Sequence, residues 1–153
     1  MANTYTKMIL ELIFAVKYRD AMINENWENK LYDYLIEKME SKNHLPIIVN
    51  GVPDHIHILV QMHPNQSVSE LLQMLKGYSS GWINELNYTQ SKFAWQDGYT
   101  AFSHAPGILE EIKKHIANQK IIHKGISFRE ELINYFANND VIYDNRYILK
   151  DPE

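Results

Sequence analysis

Pro53-Asp54-His55-Ile56-His57-Ile58-Leu59-Val60-Gln61-Met62 places apolar side chains at every even position from 56 to 62 and histidines at 55 and 57. Side chains alternate between the faces of a strand, so this period predicts a β-strand over His55 to Met62. The preceding Gly51-Val52-Pro53-Asp54 has turn composition, and Leu45 to Asn50 supplies an apolar strand before it; together they read as an antiparallel hairpin. Within that hairpin His55 and His57 share one face, about 6.5–7 Å apart along the backbone, close enough for both imidazoles to reach one cation. A half-exposed polar face gives the same pattern, so the pair alone is half of a metal site.

The rest of the chain supplies partners for the hairpin. Thr4 to Tyr18, rich in Ile9, Leu12, Ile13, Phe14 and Val16, reads as a long first strand. Trp27, Leu31, Tyr34, Leu35 and Met39 recur at helical spacing and predict an amphipathic helix to about Ser41. Ser67-Val68-Ser69-Glu70 has the form of a capping box, with Leu71, Leu72, Leu75, Trp82 and Leu86 continuing a second helix. Phe93-Ala94-Trp95 and Tyr99-Thr100-Ala101-Phe102 flank Gln96-Asp97-Gly98, a pair of short strands around a tight turn. A third helix is predicted from Pro106 to about Lys124, ended by Gly125. Ser127-Phe128-Arg129-Glu130 opens a fourth helix to about Ala137, and a polar tail covers about 138–153. This order predicts an α+β fold over residues 1–153 as a single domain: an antiparallel sheet with helices packed mainly on one face.

With 153 residues, 45% hydrophobic and 22% charged, the chain can bury one real core and is not of disordered composition. It has no cysteine, which excludes disulfides and thiolate metal sites and leaves His, Asn/Gln and carboxylate groups as ligands. No apolar run is long enough to cross a bilayer and no signal-peptide layout is visible, so the expected location is cytoplasmic. A net charge of −4 and a pI near 6.0 exclude bulk electrostatic coating of duplex nucleic acid but allow a local basic groove. Lys17 with Arg19, and Lys113, Lys114, Lys120 and Lys124 with Arg129, are the candidates; a solvated helix face accounts for them equally well.

On the third helix His115 and Gln119 stand four residues apart and share a face bordering Leu109, Ile112 and Ile116, with His123 slightly round the same side. Four segments now fall into one register. Phe14-Ala15-Val16-Lys17-Tyr18-Arg19, Pro53 to Leu59, Trp95-Gln96-Asp97-Gly98-Tyr99-Thr100-Ala101-Phe102-Ser103 and Ile116-Ala117-Asn118-Gln119 resemble the single-tyrosine HUH transposases of the insertion-sequence 200/605 type over nearly the whole chain. The resemblance implies a ferredoxin-like, RRM-like sandwich with flanking helices and a homodimer whose active site is sometimes composite. It implies recognition of single-stranded DNA hairpins at element ends, and strand cleavage and rejoining through a 5′-phosphotyrosine. It also implies a divalent cation, Mg2+ or Mn2+, held by His55, His57 and Gln119. Such an ion would draw charge from the scissile phosphate, and a covalent link would conserve the bond energy for rejoining. Lys17, Arg19, Lys113, Lys114, Lys120 and Lys124 become candidate DNA contacts, with Trp95, Tyr99 and Phe102 as candidate stacking surfaces.

One position departs from that pattern. The family nucleophile lies four residues before the glutamine, as Tyr-x-x-x-Gln, whereas this chain reads His115-Ile116-Ala117-Asn118-Gln119. Where many relatives carry Glu-His-His, it has Ile121-Ile122-His123. Three readings of His115 stay open: a cleavage-impaired variant that still binds DNA, an additional metal ligand or proton-transfer group, or a histidine nucleophile. A non-catalytic, domesticated DNA-binding module is the alternative function. None of the ten tyrosines is an obvious substitute; Tyr99 belongs to the glycine-turn segment and Tyr135 lies one helix later.

Overall fold

A computed structural model describes residues 3–153. Strands β1 (Met8–Ala15), β2 (Leu45–Val52), β3 (His55–Met62) and β4 (Thr100–Ser103) form one sheet in the order β2-β3-β1-β4. Every pairing is antiparallel, which matches the ferredoxin-like arrangement predicted above. The register sets Ile13 opposite His57 and Ala15 opposite His55, with Glu11 opposite Phe102 on the other edge of β1.

Helices α1 (Glu28–Glu40) and α2 (Val68–Glu85) cover one face of the sheet. Leu12, Phe14, Ile56, Ile58 and Val60 meet Leu31, Leu35, Met39, Leu71, Leu72 and Leu75 there, each such burial being worth about 1.5–3 kcal/mol. The second face is also covered, against the expectation of helices mainly on one side. Helix α3 (Leu109–Ala117) packs Ile116 on Ile9 and Leu59, while α5 (Phe128–Asn138) packs Phe128, Leu132 and Phe136 on Ile13, Ala15 and Phe102. The central strands explain this: their odd positions Ile9, Ile13, Ala15 and Leu59 are apolar too, as in a strand buried on both sides. Among the described residues no helix is long and apolar enough to cross a membrane.

Both predicted serine N-caps form, with Ser67 Oγ accepting from the Glu70 amide (3.1 Å) and Ser127 Oγ from that of Glu130 (3.2 Å). Three local expectations change. Phe93–Trp95 is no strand: the Asn84 side chain binds both the N–H and the C=O of Phe93, leaving one bridge, Val16 to Trp95. Gly98, at φ +83°, then turns the chain so that β4 pairs with β1 instead. The predicted helix 106–124 is three pieces, a 3-10 turn (Pro106–Ile108), α3 and the short α4 (Gln119–Ile122). It breaks at Asn118 because the Asn50 amide donates to the carbonyls of Ile116 (2.9 Å) and Ala117 (3.2 Å), which a continuous helix would use itself. Finally, the end of the tail docks. The Lys150 amide donates to Gln96 Oε1 (3.0 Å), Leu149 is buried, and Glu153 exchanges backbone hydrogen bonds with Lys17 and Arg19 (2.8 Å each).

Candidate metal centre

The face of β3 that carries His55 and His57 lies beneath α3, α4 and α5, and both rings are fully buried. Gly51 lets β2 close on this point: a Cβ there would stand 2.3 Å from the His55 carbonyl oxygen. Helix α5 sends down Glu131, on the same stripe as Phe128 and Leu132, and α4 sends down Gln119 with His123 just after it.

Each of the three central histidines has its Nδ1 facing an acceptor. For His55 it is Asp54 Oδ1 (2.7 Å), for His57 Glu11 Oε2 (2.8 Å), and for His123 the Ile126 carbonyl (3.0 Å). Such partners favour the tautomer protonated at Nδ1 and turn the Nε2 lone pair inward. Inside, Glu131 Oε1 lies 3.0 Å from His57 Nε2, 3.1 Å from His123 Nε2 and 3.5 Å from His55 Nε2. Gln119 Oε1 lies 3.0 Å from His123 Nε2 and 3.3 Å from His55 Nε2. One ligand atom from each of His55, His57, His123 and Glu131 falls within 4.8 Å of the others.

The charges are tightly coupled. Burial pushes the Glu131 carboxyl up, but contacts with His115, His123, His55 and His57 outweigh it and hold the group far below the ordinary range. At Glu11 burial is likewise outweighed, by bonds from His104 and His57, leaving a value of about 2. Burial lowers the His57 value, yet Glu11 and Glu131 leave it raised. Asp54 stays low because its bond to His55 exceeds the cost of burial. Tyr135 donates to Glu11 Oε2 (3.1 Å), and burial with the two carboxylates drives its phenol well above the usual value.

The residues singled out in the sequence are spread across this region. His115 sits at the rim, its side chain 36% exposed, with Nε2 3.1 Å from Glu131 Oε2. Gln119 is fully buried and donates from Nε2 to the same oxygen (2.9 Å). Lys120 folds back to Asn50 Oδ1 and the Gly51 carbonyl (3.0 Å each), and Arg19 Nη2 donates to the Pro152 carbonyl (3.0 Å). Lys114 and Lys124 are exposed, while Lys17 and Lys113 are half-buried. Trp95 lies in the core against Phe14 and Phe93 and donates to Ser79 Oγ (2.9 Å), so its ring faces are occupied; Tyr99 is exposed. The sequence reading left out Glu131 and Glu11, although each is a carboxylate inside an otherwise apolar periodic stripe.

Residues 4–119 match the family described as "Transposase IS200 like". The ISDra2 transposase TnpA of Deinococcus radiodurans is 28% identical over 115 residues, covering 71% of this chain and 81% of that protein. The transposase for insertion sequence element IS200 of Salmonella typhimurium is 28% identical over 130 residues, or 79% and 85% of the two chains. Among solved structures, a candidate transposase from Deinococcus radiodurans R1 superposes with a TM-score of 0.62 at 20% identity, covering 78% of this chain and 95% of that one. The REP-associated tyrosine transposase bound to a REP hairpin gives 0.57 at 11% identity, with 100% and 96% covered. These two structures support the fold, and the family match, which runs through both strand histidines to Gln119, makes this chain a member of the IS200-like transposase family.

Proposed function

We propose that the protein binds hairpins of single-stranded DNA. We further propose that it keeps a divalent-metal site for cleavage and rejoining at His55, His57 and Gln119, and that cleavage is impaired because His115 stands where the family places its tyrosine. The observation that carries this reading is the inward convergence of buried imidazole Nε2 atoms and the Gln119 amide oxygen beside His115. The donor set fits a divalent ion, since neutral imidazole, amide and carboxylate are all metal-binding groups and their outer partners are already in place. When bound, such an ion supplies Lewis acidity to the phosphoryl oxygens of a DNA strand.

The chain's own groups do the rest. Asp54 and Glu11 fix the rings of His55 and His57. His115 presents an imidazole at the mouth, able to hold or move a proton but not to form a phosphotyrosine. Tyr135 does not replace the missing phenol: its hydroxyl is committed to Glu11, on the Nδ1 side of His57, and its ionisation is suppressed. Hairpin recognition is supported by family membership and by the structural neighbour described with a REP hairpin bound. Lys113, Lys114, Lys120, Lys124, Lys17, Arg19 and Tyr99 are the proposed DNA contacts. A homodimer is also proposed, although the candidate ligands converge within one chain and do not need a partner to meet.

The test is incubation of a hairpin-bearing single strand with the protein and Mn2+ or Mg2+, followed by a native and a denaturing gel. Salt-sensitive retention of the hairpin, no covalent adduct from the parent chain and an adduct from His115→Tyr are expected. A robust adduct from the parent chain refutes the impairment, and absence of binding refutes the hairpin. Binding that ignores both chelator and His57→Ala would instead favour the non-catalytic module, the reading that the histidine at position 115 independently suggests.

A further inference from the structure

We infer that the ion proposed above is held by His55, His57, His123 and Glu131, as a four-coordinate three-histidine, one-carboxylate centre. Such a centre suits a late first-row ion such as Zn2+ in preference to Mg2+. Gln119 and His115 then act as positioning residues for Glu131. This inference rests on the reading that the site holds a cation at all.

Three geometric facts carry it. First, with Nδ1 of His55, His57 and His123 each facing a carboxylate or carbonyl acceptor, all three Nε2 atoms point to one place, offering lone pairs there in the Nδ1-protonated tautomer, and Glu131 Oε1 is 3.0–3.5 Å from each of them. Lone pairs converging on a carboxylate oxygen repel one another unless positive charge lies among them. Second, the other oxygen of Glu131 is gripped from behind by Gln119 Nε2 (2.9 Å) and His115 Nε2 (3.1 Å), which aims Oε1 at the imidazoles. Third, the donors are mostly nitrogen and the site is largely enclosed: His55 and His57 are 0% exposed and Glu131 3%, with the His123 side chain at 9%. Mg2+ requires near-octahedral oxygen ligation and keeps several waters, which this enclosure resists; three imidazoles and a carboxylate suit tetrahedral Zn2+, with Mn2+ weaker in the usual affinity order.

Two of these four residues, His123 and Glu131, lie after the stretch that matches the family, which ends at residue 119. The C-terminal helix α5 is thereby part of the centre.

Metal-free protein should be titrated with Co2+ and its visible spectrum recorded, then loaded with Zn2+ for X-ray absorption at the zinc edge. The expected result is the intense visible bands of four-coordinate cobalt and a zinc shell of three imidazoles and one oxygen. Excess Mg2+ should leave both unchanged. His123→Ala and Glu131→Gln should change the cobalt spectrum and weaken binding more than His115→Ala. The latter, as the loss of an outer partner, should cost about 10–100-fold in affinity and leave the spectrum four-coordinate. A weak six-coordinate cobalt spectrum, displaced by Mg2+ and sensitive to Gln119→Ala but not to His123→Ala or Glu131→Gln, would overturn this inference and leave the three-ligand reading standing. Failure of Co2+, Zn2+, Mn2+ and Mg2+ alike to bind would overturn both. The parent-chain spectra decide the matter even where a buried variant fails to fold.

Discussion

Replacing Glu11 by Gln should cost the metal-free protein about 3 kcal/mol at neutral pH. Glu11 is fully buried on β1 and accepts from Tyr135 (3.1 Å) while facing His57 Nδ1 (2.8 Å) and His104 Nε2 (2.9 Å). Its carboxyl moves from an ordinary 4.5 to about 2, a difference of 2.5 units; at 1.36 kcal/mol per unit this is about 3 kcal/mol. The folded value is depressed, so this stabilisation is complete above pH 4.5 and disappears as the pH falls through about 2. Loss of one partner from a buried charge pair falls in the same range. Urea unfolding followed by tryptophan fluorescence measures it. The midpoint should fall at pH 7 with an unchanged slope, and the gap between parent and Glu11→Gln should close between pH 4.5 and 2. His57 behaves oppositely: its folded value is raised, so its contribution is complete below the unfolded 6.5 and lost as the pH climbs through the folded value. A Glu11→Gln protein within about 0.5 kcal/mol of the parent at pH 7, or a gap that stays constant on acidification, would refute the assignment of Glu11 as the charged anchor of the histidine face.

Other positions give independent checks. Gly51→Ala would push a Cβ to 2.3 Å from the His55 carbonyl oxygen and 3.1 Å from the Ile56 Cα, both backbone atoms that cannot swing away. It should cost about 1–3 kcal/mol or more in urea unfolding and weaken metal binding in isothermal titration, because the hairpin that aims His55 must shift. Ser127→Ala removes the cap that receives the Glu130 amide and should lower stability by about 1 kcal/mol in chemical denaturation. Gln96→Ala deletes a side chain that both donates to and accepts from the Lys150 backbone; limited proteolysis should then cut 140–153 faster, with the sheet's circular dichroism unchanged.

The hairpin, both capped helices and the antiparallel α+β class are readable because each is written in local periodicity. The break at Asn118 is not, because its cause is Asn50 on β2, whose amide reaches the carbonyl of Ile116, 66 residues further along the chain. The strand expected at Phe93–Trp95 failed for a similar reason: Asn84 takes the hydrogen bonds that a ladder would need. The docked tail had a faint signal in Ile148 and Leu149, an apolar pair closing a polar stretch. Position 55 and position 57 were legible from period two alone, but the identity of what faces them depends on register between strands and helices distant in sequence.

Glu11 and Glu131 show how far that limit could be pushed. Both sit at positions that the local pattern assigns to a buried face: Glu11 between Ile9 and Ile13 on a strand, Glu131 between Phe128 and Leu132 on a helix. A carboxylate there must lose hydration, so it persists only with partners that return the lost free energy. The chain contains few candidates for that role in its apolar segments, and His55 and His57 are foremost among them. Two buried carboxylates and two buried histidines on one sheet face therefore imply each other, and the structure has Glu11 facing Nδ1 of His57 and Glu131 facing its Nε2. That division of labour has a mechanical consequence. The carboxylate on the strand fixes the ring, while the one on α5 competes with or joins whatever the ring binds; α5 also stacks Phe128 on the His55 ring, 3.9 Å between centroids, so any movement of α5 acts on the site through Glu131 and His55 together.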